Sequence, residues 1–365
     1  MTQAHAAVVR AAGEQPQVET ITLPDPGPGQ VRVRLAATGV CHSDLSLARG
    51  TLVQLYPAVL GHEGAGRVVA TGATTSLRHG DAVLLNWSPA CGQCWFCLHG
   101  EPYLCVHASD TAARSYGQLA DGAQVYPGLG VAAFATETVV AENACIRIPD
   151  DIPLEQAALL GCAVLTGVGA VLNAARVAPG ESVVVFGLGG VGLCALQGAR
   201  IAGAASIIAV DPSPAKADLA RRLGATDVLE PSPDLGKQVR ALTGGRGADH
   251  AIECVGRAET IRAAWSVTRR GGHATIVGMG AKSDTVNFNA LEIAHFARTL
   301  TGCMYGASDP VRDIPVLLEH VRAGRLDLGA LVSARIGLDG VAAAFADLEA
   351  GRGARSLIVF DSERN

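Results

Sequence analysis

Four cysteines lie close together in the sequence, at a spacing that suits a metal ion. Cys91, Cys94 and Cys97 follow one another at intervals of three residues, and Cys105 comes eight residues later. Four thiolates joined by short loops can close a tetrahedral shell around Zn²⁺, with no position left open for chemistry. A redox pair would need only two cysteines, whereas an iron–sulfur cluster also uses four and stays an alternative. The spacing favours a structural zinc site that holds a loop in place.

A glycine-rich segment between two apolar runs predicts a dinucleotide site. Ser182–Phe186 is rich in β-branched residues, as a buried parallel strand is, and Gly-Leu-Gly-Gly-Val-Gly follows at 187–192. Residues 193–202 suit a helix, and residues 207–210 suit a second strand. In such a βαβ unit the glycines allow a tight turn, close approach of backbone to a pyrophosphate, and close packing of helix on strand. The free N–H groups of the helix N-terminus then face the phosphates.

Asp211 directly follows the second strand of this unit. A carboxylate at that distance from the glycines can accept a hydrogen bond from a ribose 2′-hydroxyl, whereas it would repel a 2′-phosphate. The sequence therefore favours NAD over NADP.

Three further short segments carry groups that ligate metals. They are Cys41-His42-Ser43-Asp44, Gly61-His62-Glu63-Gly64, and Gly161-Cys162 just before the dinucleotide unit. Each is unremarkable alone, because an isolated cysteine is usually a core residue. An isolated histidine likewise belongs more often to the surface or to a satisfied core position.

The elements around these groups fall into two patterns. Residues 1–150 read as short strands separated by many prolines and glycines. Residues 163–305 alternate strands with helices, which predicts a doubly wound parallel sheet of six strands. Residues 306–365 resume a mixed pattern. Candidate strands of the sheet lie at 183–186, 207–210, 228–229, 250–254, 273–277 and 299–305, and candidate helices at 215–223, 235–243 and 258–268.

Composition narrows the class of protein. The 365 residues are 49% hydrophobic and only 17% charged, which predicts a packed globule of about two domains. The net charge of −5 gives no reason to expect a nucleic-acid partner. Residues 157–175 carry no charge, but their glycines favour a buried helix over a membrane span. Ten cysteines without a secretory signal indicate a reducing compartment, and we expect a cytoplasmic protein.

In their order and spacing, these motifs resemble the zinc-containing medium-chain alcohol dehydrogenases, essentially from end to end. The resemblance implies a Rossmann domain (163–305) inserted in a mainly β, GroES-like catalytic domain (1–162 and 306–365), with the active cleft between them. It implies that Cys41, His62 and Cys162 hold a catalytic zinc, with Glu63 close by as an occasional ligand. Asp44 would orient His62 through its second ring nitrogen. The expected cofactors are two zinc ions per chain and NAD.

The resemblance also implies a set of coenzyme contacts. His42 stands where well-studied members carry an arginine against the pyrophosphate, and a histidine lacks that permanent charge. Arg355 matches a C-terminal arginine that reaches the coenzyme, and Lys216 matches a second contact to the adenosine ribose. The full expected set is His42, Thr166, Gly187, Gly189, Gly190, Val191, Gly192, Asp211, Lys216, Val277 and Arg355.

The proton path departs from the family. Ser43 matches the hydroxyl that begins the family's relay from the alcohol through the nicotinamide ribose. Many members carry a histidine three positions further, where this chain has Ser46. A serine hydroxyl cannot act as a base near neutral pH. We therefore expect the outer half of the relay to end in water or another group.

Four apolar residues match positions that line the substrate pocket in relatives, and Trp87 among them should narrow the space beside the metal. The expected pocket residues are Leu52, Trp87, Leu104 and Leu129.

The resemblance also bears on the oligomeric state. The long segment 106–130 favours a homodimer over a tetramer, and family members pair the last strand of the coenzyme domain, here 299–305, across the dimer.

The leading functional hypothesis is NAD-dependent, zinc-assisted hydride transfer between a primary or aromatic alcohol and NAD. Two alternatives stay open within the class: oxidation of S-hydroxymethyl thiol adducts, suggested by Leu-Leu-Asn-Trp at 84–87 and Cys-Gly-Gln-Cys at 91–94, and a nicotinoprotein that never releases its coenzyme. A non-catalytic nucleotide-sensing relative is a further alternative, which the presence of Cys41, His62 and Cys162 disfavours.

Overall fold

Residues 1–360 are described by the computed structural model, in which the chain forms two units. The first comprises Met1–Cys162, Asp309–Val316 and the chain from Val332 onward, and the second comprises Ala163–Ser308 and Leu317–Leu331. The bounds 163–305 that we expect for the coenzyme domain stay a prediction. The second unit runs three residues further than these bounds and also takes in part of the return segment.

The first unit begins with short strands, because its apolar runs are brief and punctuated by proline and glycine. Its elements up to Cys162 are β1 (Thr2–Val9), β2 (Gln17–Leu23), β3 (Gln30–Gly39), α1 (His42–Ala48), β4 (Ala58–Val59), β5 (Glu63–Thr71), β6 (Ala82–Leu85), α2 (Trp95–Leu98), β7 (Gly117–Leu119), β8 (Gln124–Pro127), β9 (Glu137–Ala141), β10 (Cys145–Arg147) and α3 (Leu154–Ala157).

The second unit is a parallel sheet with helices between its strands. It contains α4 (Ala163–Gly169), β11 (Ser182–Phe186), α5 (Gly190–Ala202), β12 (Ser206–Val210), α6 (Ala217–Arg222), β13 (Asp227–Leu229), α7 (Leu235–Leu242), β14 (Ala248–Glu253), α8 (Ala258–Val267), β15 (Thr268–Ile276), α9 (Ala290–Phe296) and β16 (Thr299–Gly302). Its six strands run in the order β13-β12-β11-β14-β15-β16. Every pairing is parallel, so the predicted doubly wound sheet is confirmed.

The strand order reverses between β11 and β14, which are neighbours although two strands separate them in the chain. At such a switch point the loops after the two strands diverge and open a crevice at their carboxyl ends, where doubly wound sheets bind ligands. The glycine-rich segment 187–192 directly follows β11, so it lies at this crevice.

The return segment supplies α10 (Pro310–Arg322), β17 (Val332–Ile336), α11 (Val341–Glu349) and β18 (Arg355–Val359). In the first unit, β1, β2, β7, β8 and β4 close a barrel, while a seven-stranded sheet runs β10-β6-β5-β3-β18-β17 with β9 also paired to β3. A buried apolar cluster that includes Ile21, Leu23, Val59, Leu60 and Phe134 fills the space around the barrel strands. The predicted mainly β, GroES-like architecture with an inserted Rossmann sheet is confirmed.

The apolar segment predicted as one buried helix is a broken pair. Residues 157–171 are buried, as expected. The helix is interrupted at Cys162, whose backbone angles of φ −143° and ψ −74° are not helical. Within residues 1–360 no single helix meets the length and hydropathy expected of a membrane span. The stretches Leu154–Gly161 and Ala163–Ala174 meet it only when taken together, across a bend of 53°.

Candidate metal centre and coenzyme site

Strand pairing brings the first two metal-ligating groups together. Strands β3 and β5 are antiparallel, and Gly39 at the end of β3 is paired with Glu63 at the start of β5. Cys41 follows β3 and His62 precedes β5, so both must lie at the same end of the pair. The break at Cys162 directs a third donor to the same place. The ligand atoms of Cys41, His62, Glu63 and Cys162 all lie within 4.8 Å of one another, and all four residues are buried.

Asp44 fixes the geometry of this group from behind. Its Oδ1 accepts hydrogen bonds from His62 Nδ1 at 2.8 Å and from the Gly61 backbone N–H at 3.0 Å. Its Oδ2 accepts from the Cys41 backbone N–H at 3.0 Å. Asp44 is fully buried in the first turn of α1, where a carboxylate also benefits from the helix dipole. The predicted contact between Asp44 and His62 is present.

The donor set fits a zinc ion. With Nδ1 bonded to Asp44, the other ring nitrogen of His62, Nε2, is buried without a hydrogen-bond partner among the described residues. Oε2 of Glu63 is likewise buried without a hydrogen-bond partner among the described residues. Buried polar atoms without a partner are rare, and each calls for one. Two sulfurs and one imidazole nitrogen are the ligands that zinc uses in catalytic sites with an open fourth position. Cys41, His62 and Cys162 would hold the ion, with Glu63 adjacent.

Arg355 lies beside this cluster. Its Nη2 donates to Glu63 Oε1 at 2.7 Å and lies 3.6 Å from Cys41 Sγ, while its Nη1 donates to the Val40 carbonyl at 3.3 Å. The side chain is only 3% exposed. The position of Arg355, the first residue of β18, follows from the antiparallel pairing of β18 with β3. Its predicted contact with the coenzyme stays a prediction, whereas its ion pair with Glu63 was missed from the sequence.

The side chains of the cluster shift one another's ionisation. The pKa of Cys41 lies well below its usual range, chiefly because the Cys162 thiol hydrogen-bonds to it. Donating that hydrogen bond, together with burial, holds the pKa of Cys162 well above its usual range. Burial raises the pKa of Glu63 to about 7, although Arg355 opposes the shift. One thiol of the pair already favours the thiolate form that metal ligation requires of both.

Burial by itself would lower the pKa of His62. The nearby Asp44 carboxylate more than reverses this effect, and the pKa lies well above the usual range. Because Nδ1 of His62 is hydrogen-bonded to Asp44, the other ring nitrogen of His62 faces one fixed direction. A carboxylate that bonds to one nitrogen of a histidine orients the other nitrogen for metal binding in this way.

The four-cysteine loop is a second, separate donor set. The Sγ atoms of Cys94 and Cys97 are 3.5 Å apart, those of Cys94 and Cys105 are 3.9 Å apart, and those of Cys91 and Cys97 are 4.0 Å apart. Zinc–sulfur bonds of about 2.3 Å place the sulfurs of a tetrahedral site about 3.8 Å apart. All four ligand atoms again lie within 4.8 Å of one another. The spacing matches a closed thiolate shell around zinc.

Backbone groups support these thiolates. Hydrogen bonds from the N–H groups of Cys97 and Val106 lower the pKa of Cys94 to about 6, and loss of hydration raises the pKa of Cys97 to about 12. The backbone N–H groups of Cys91 and Cys94 donate to the sulfurs of Cys105 and Cys91, each at 3.3 Å. The loop is thus folded around its sulfurs, as a structural site is.

Of the predicted pocket residues, Trp87 contacts one residue of the donor set, His62. Its ring centroid lies 6.1 Å from that of His62 at an interplanar angle of 80°, an edge-to-face contact. Leu52 and Leu129 pack on the barrel core, and Leu104 is 38% exposed. Ser43 is half-buried with its Oγ 3.9 Å from Cys41 Sγ, and His42 is exposed at the first residue of α1. The pocket and relay assignments stay predictions.

In the second unit, the glycines of 187–192 have the tight geometry that they require. Gly187 adopts a left-handed φ of 86°, and a Cβ on Gly192 would lie 1.7 Å from the Gly187 carbonyl oxygen. Asp211 is 6% exposed, and its carboxylate accepts from the backbone N–H groups of Leu188 at 2.7 Å and Ser213 at 2.9 Å. Lys216 Nζ is 3.7 Å from the same carboxylate. The structure thus brings together the two residues expected at the adenosine ribose.

Thr166 and Val277 lie elsewhere in the same unit. Thr166 is buried within α4, and the Val277 backbone N–H donates to the Glu253 carbonyl at 2.8 Å. Val277 therefore sits at the carboxyl end of β15, beside the strand that neighbours the glycine-rich turn. Both remain predicted coenzyme contacts.

Two family profiles match the chain. The alcohol dehydrogenase GroES-like domain matches residues 27–150, and the zinc-binding dehydrogenase domain matches residues 190–322. The first range contains all of the proposed zinc ligands except Cys162, and the second contains the last three residues of the glycine-rich segment together with Asp211 and Lys216.

Individual proteins match over the whole chain. The S-(hydroxymethyl)glutathione dehydrogenase of Synechocystis sp. is 37% identical over 369 residues, spanning 98% of this chain and 99% of that protein. The protein of the same name from Escherichia coli O157:H7 is 36% identical over 370 residues with the same coverage. The benzyl alcohol dehydrogenase of Acinetobacter calcoaceticus is 30% identical, with a TM-score of 0.91 over 99% of this chain and 100% of that one. An alcohol dehydrogenase zinc-binding domain protein from Burkholderia ambifaria is 33% identical, with a TM-score of 0.93 over 99% of both chains.

Proposed function

Because the chain belongs to the zinc-containing medium-chain alcohol dehydrogenases, which use zinc and NAD, we propose that it oxidises primary or aromatic alcohols with NAD and catalyses the reverse reduction. Zinc, when bound, supplies a Lewis acid that lowers the pKa of an alcohol hydroxyl, and NAD accepts the hydride. Cys41, His62 and Cys162 hold the ion, and Asp44 keeps the imidazole and the Cys41 backbone in place.

Trp87 is the observation that carries the proposed preference for aromatic alcohols. Its indole packs against the metal ligand His62 and against a buried apolar cluster of the seven-stranded sheet. An aromatic wall next to the donor set offers a ring-bearing alcohol both apolar area and an aromatic contact. The A. calcoaceticus relative is named for benzyl alcohol, which supports the same substrate class.

The second candidate is the oxidation of S-hydroxymethyl thiol adducts, supported by the names of relatives that are 36% and 37% identical. A glutathione adduct carries two carboxylates, which need cationic partners on the protein. Arg355, the guanidinium that contacts Cys41, is already ion-paired with Glu63. The contact of Trp87 with His62 favours an uncharged aromatic alcohol over a glutathione adduct.

Steady-state kinetics with NAD would separate the two candidates. We expect kcat/KM for benzyl alcohol to exceed that for S-hydroxymethylglutathione, formed from formaldehyde and glutathione, by at least about tenfold, since burial of an aromatic ring contributes about 1.5–3 kcal/mol. Trp87→Ala should raise KM for benzyl alcohol, whereas Trp95→Ala, which removes an indole that is 61% exposed, should not. A preference for the glutathione adduct would establish the second candidate instead.

Proton release belongs to the same proposal. In this proposal Ser43 passes the hydroxyl proton onward, and water accepts it beyond Ser46, since a serine there cannot act as a base. The nicotinoprotein alternative is tested by denaturing the purified protein: a stoichiometric release of NAD would mean that the coenzyme is never exchanged.

We further propose a cytoplasmic homodimer that pairs β16 with the β16 of a second copy. This strand is the edge of the six-stranded sheet, and Leu300 on it is 44% exposed. An unpaired edge with an exposed apolar residue is a template for strand pairing. Sedimentation equilibrium should give twice the chain mass of 37.3 kDa, and a Leu300→Lys variant should shift it toward the monomer.

A further inference from the structure

A buried carboxylate in the second unit has no role in the proposed reaction. Glu253, the last residue of β14, is fully buried. Its Oε1 accepts hydrogen bonds from the Val255 N–H at 2.9 Å, from the Gly256 N–H at 2.9 Å and from the Thr260 hydroxyl at 2.7 Å. Its Oε2 lies 3.1 Å from the same Gly256 nitrogen. Burying a carboxylate is costly unless it is well bonded, and here each donor comes from the chain that follows it.

These bonds clamp residues 254–256 between two other segments. On one side, Val255 packs on the glycine-rich turn so closely that a Cβ on Gly187 would lie 2.6 Å from Val255 Cγ2. On the other side, a Cβ on Gly278 would lie 2.1 Å from the Gly256 nitrogen. The clamp also reaches the first turn of α8, because Thr260 belongs to that helix. Residues 254–256, called the wedge below, therefore lie between the glycine-rich turn and Gly278. The Glu253 carboxylate sets their position.

The wedge lies at the carboxyl ends of three neighbouring strands. Glu253 is paired with Phe186 of β11 and with Ile276 of β15. This edge contains the switch point where doubly wound sheets bind dinucleotides. The Val255 side chain, on the wedge itself, is 40% exposed. An apolar side chain left open beside the glycine-rich turn offers a surface that a planar ring of the coenzyme can cover.

We propose that Glu253 is a positioning residue for NAD, which holds Val255 and the Gly187 turn in the arrangement that receives the dinucleotide. The residue touches neither metal ligand nor reacting atom and acts through the 254–256 backbone. The proposal rests on the use of NAD by this chain. It assigns Glu253 to coenzyme affinity and leaves the chemical step to the metal centre.

The test is NAD affinity in four variants, measured by isothermal titration. Glu253→Ala removes all of the acceptors and should raise the Kd for NAD about tenfold or more, because residues 254–256 are then no longer held against the glycine-rich turn. Glu253→Gln keeps one oxygen but turns an NH₂ toward the Gly256 N–H, so its Kd should fall between those of the wild type and the Ala variant. Thr260→Val removes one donor and should raise the Kd less. Glu259→Ala, at an exposed carboxylate of the same helix, should leave it unchanged.

Kinetics distinguish positioning from a general loss of structure. In Glu253→Ala, KM for NAD should rise while kcat at saturating NAD and alcohol stays within about twofold of the wild type. A folded Ala variant whose Kd matches the wild type overturns the proposal. If the Ala variant does not fold, Glu253→Gln decides, and an unchanged Kd in that variant overturns it. A wild-type protein that binds no NAD would refute the proposed function itself.

Discussion

At the scale of single residues, Asp44 does the most to organise the metal centre. It bonds the ring of one ligand and the backbone of another, and it holds Gly61 directly before His62. Two ligands from separate strands thus share one support. A carboxylate in this place fixes the histidine tautomer and increases its basicity as a ligand.

Asp44→Ala should weaken zinc binding at this centre by about 10–100-fold, which is the usual effect of losing an outer-shell partner. The measure is competition with a chromogenic chelator, which should report one weakened zinc and one unchanged zinc. Asp218→Ala removes a side chain that is 98% exposed and serves as the control. Equal zinc affinity in wild type and Asp44→Ala would mean that His62 and Cys41 take up their positions without Asp44.

We expect Asp211 to set the preference between coenzymes. Its carboxylate accepts hydrogen bonds from the backbone N–H of Leu188 in the glycine-rich turn and from that of Ser213, and it lies beside Lys216, so it has a fixed place. We expect the wild type to prefer NAD over NADP, and Asp211→Gly to lower that ratio of kcat/KM values by about tenfold or more, since the lost contact is charge-assisted. A wild type that uses NADP equally well would contradict the assignment.

At the scale of elements, we expect the four-cysteine loop to be held by a bound zinc ion more than by packing. Its helix α2 spans only Trp95–Leu98 and has no buried residue. We therefore expect Cys97→Ala to lower the melting temperature clearly, because zinc binding and folding of such a loop are coupled. Cys145→Ala, outside both donor sets, is the matched control. Equal melting temperatures for wild type and Cys97→Ala would remove the structural role of this loop.

Strands β14 and β15 carry a histidine pair at the opposite end from the glycine-rich turn. The rings of His250 and His273 stack with centroids 5.3 Å apart, and His250 Nε2 lies 2.8 Å from Glu181 Oε2. Burial lowers the pKa of His273, and the neighbouring His250 and Arg269 lower it further. The unfolded chain, with an ordinary histidine pKa of about 6.5, then binds this proton more readily than the folded chain does.

Stability from this site is therefore present above about pH 6.5 and is lost as the pH falls through the unfolded-state value toward the lowered folded-state value. Going from pH 7.5 to pH 5.5 should lower the melting temperature of the wild type more than that of His273→Gln. His79→Gln, at an exposed loop residue, should behave as the wild type. Parallel pH profiles for wild type and His273→Gln would show that the stack does not oppose protonation.

At the scale of the whole molecule, the Rossmann sheet could be predicted from the sequence because each of its strands gives a recognisable pattern within a short stretch of residues. A short β-branched run such as Ser182–Phe186, followed by glycines and a helix, is recognisable within thirty residues. The strand ends were less accurate: β15 begins at Thr268, five residues before the prediction, and β16 ends at Gly302 rather than at residue 305. Sheet pairing, which no single segment encodes, decides those ends.

The metal centre is assembled from distant segments, and this limited what the residues alone could predict. Cys41, His62 and Cys162 meet only through the pairing of β3 with β5 and the break in the apolar helix, so the resemblance to the family was needed to join them. The Arg355–Glu63 ion pair joins residues 292 positions apart and was not foreseen. A buried glutamate beside two thiols does require a countercharge, which is the signal that could have prompted a search for one.

The two donor sets could each hold a metal ion, and we expect two zinc ions per chain, of which the one at Cys41, His62 and Cys162 serves the reaction. Zinc per chain can be counted by mass spectrometry in wild type and in Cys162→Ala, with NAD binding and turnover measured on the same samples. We expect two zinc ions in the wild type. Cys162→Ala should keep one zinc and its NAD binding while turnover falls by about a thousandfold or more, since a metal Lewis acid supplies several kcal/mol. A wild type with a single zinc, or a Cys162→Ala variant that keeps both ions and its activity, would refute this division of roles.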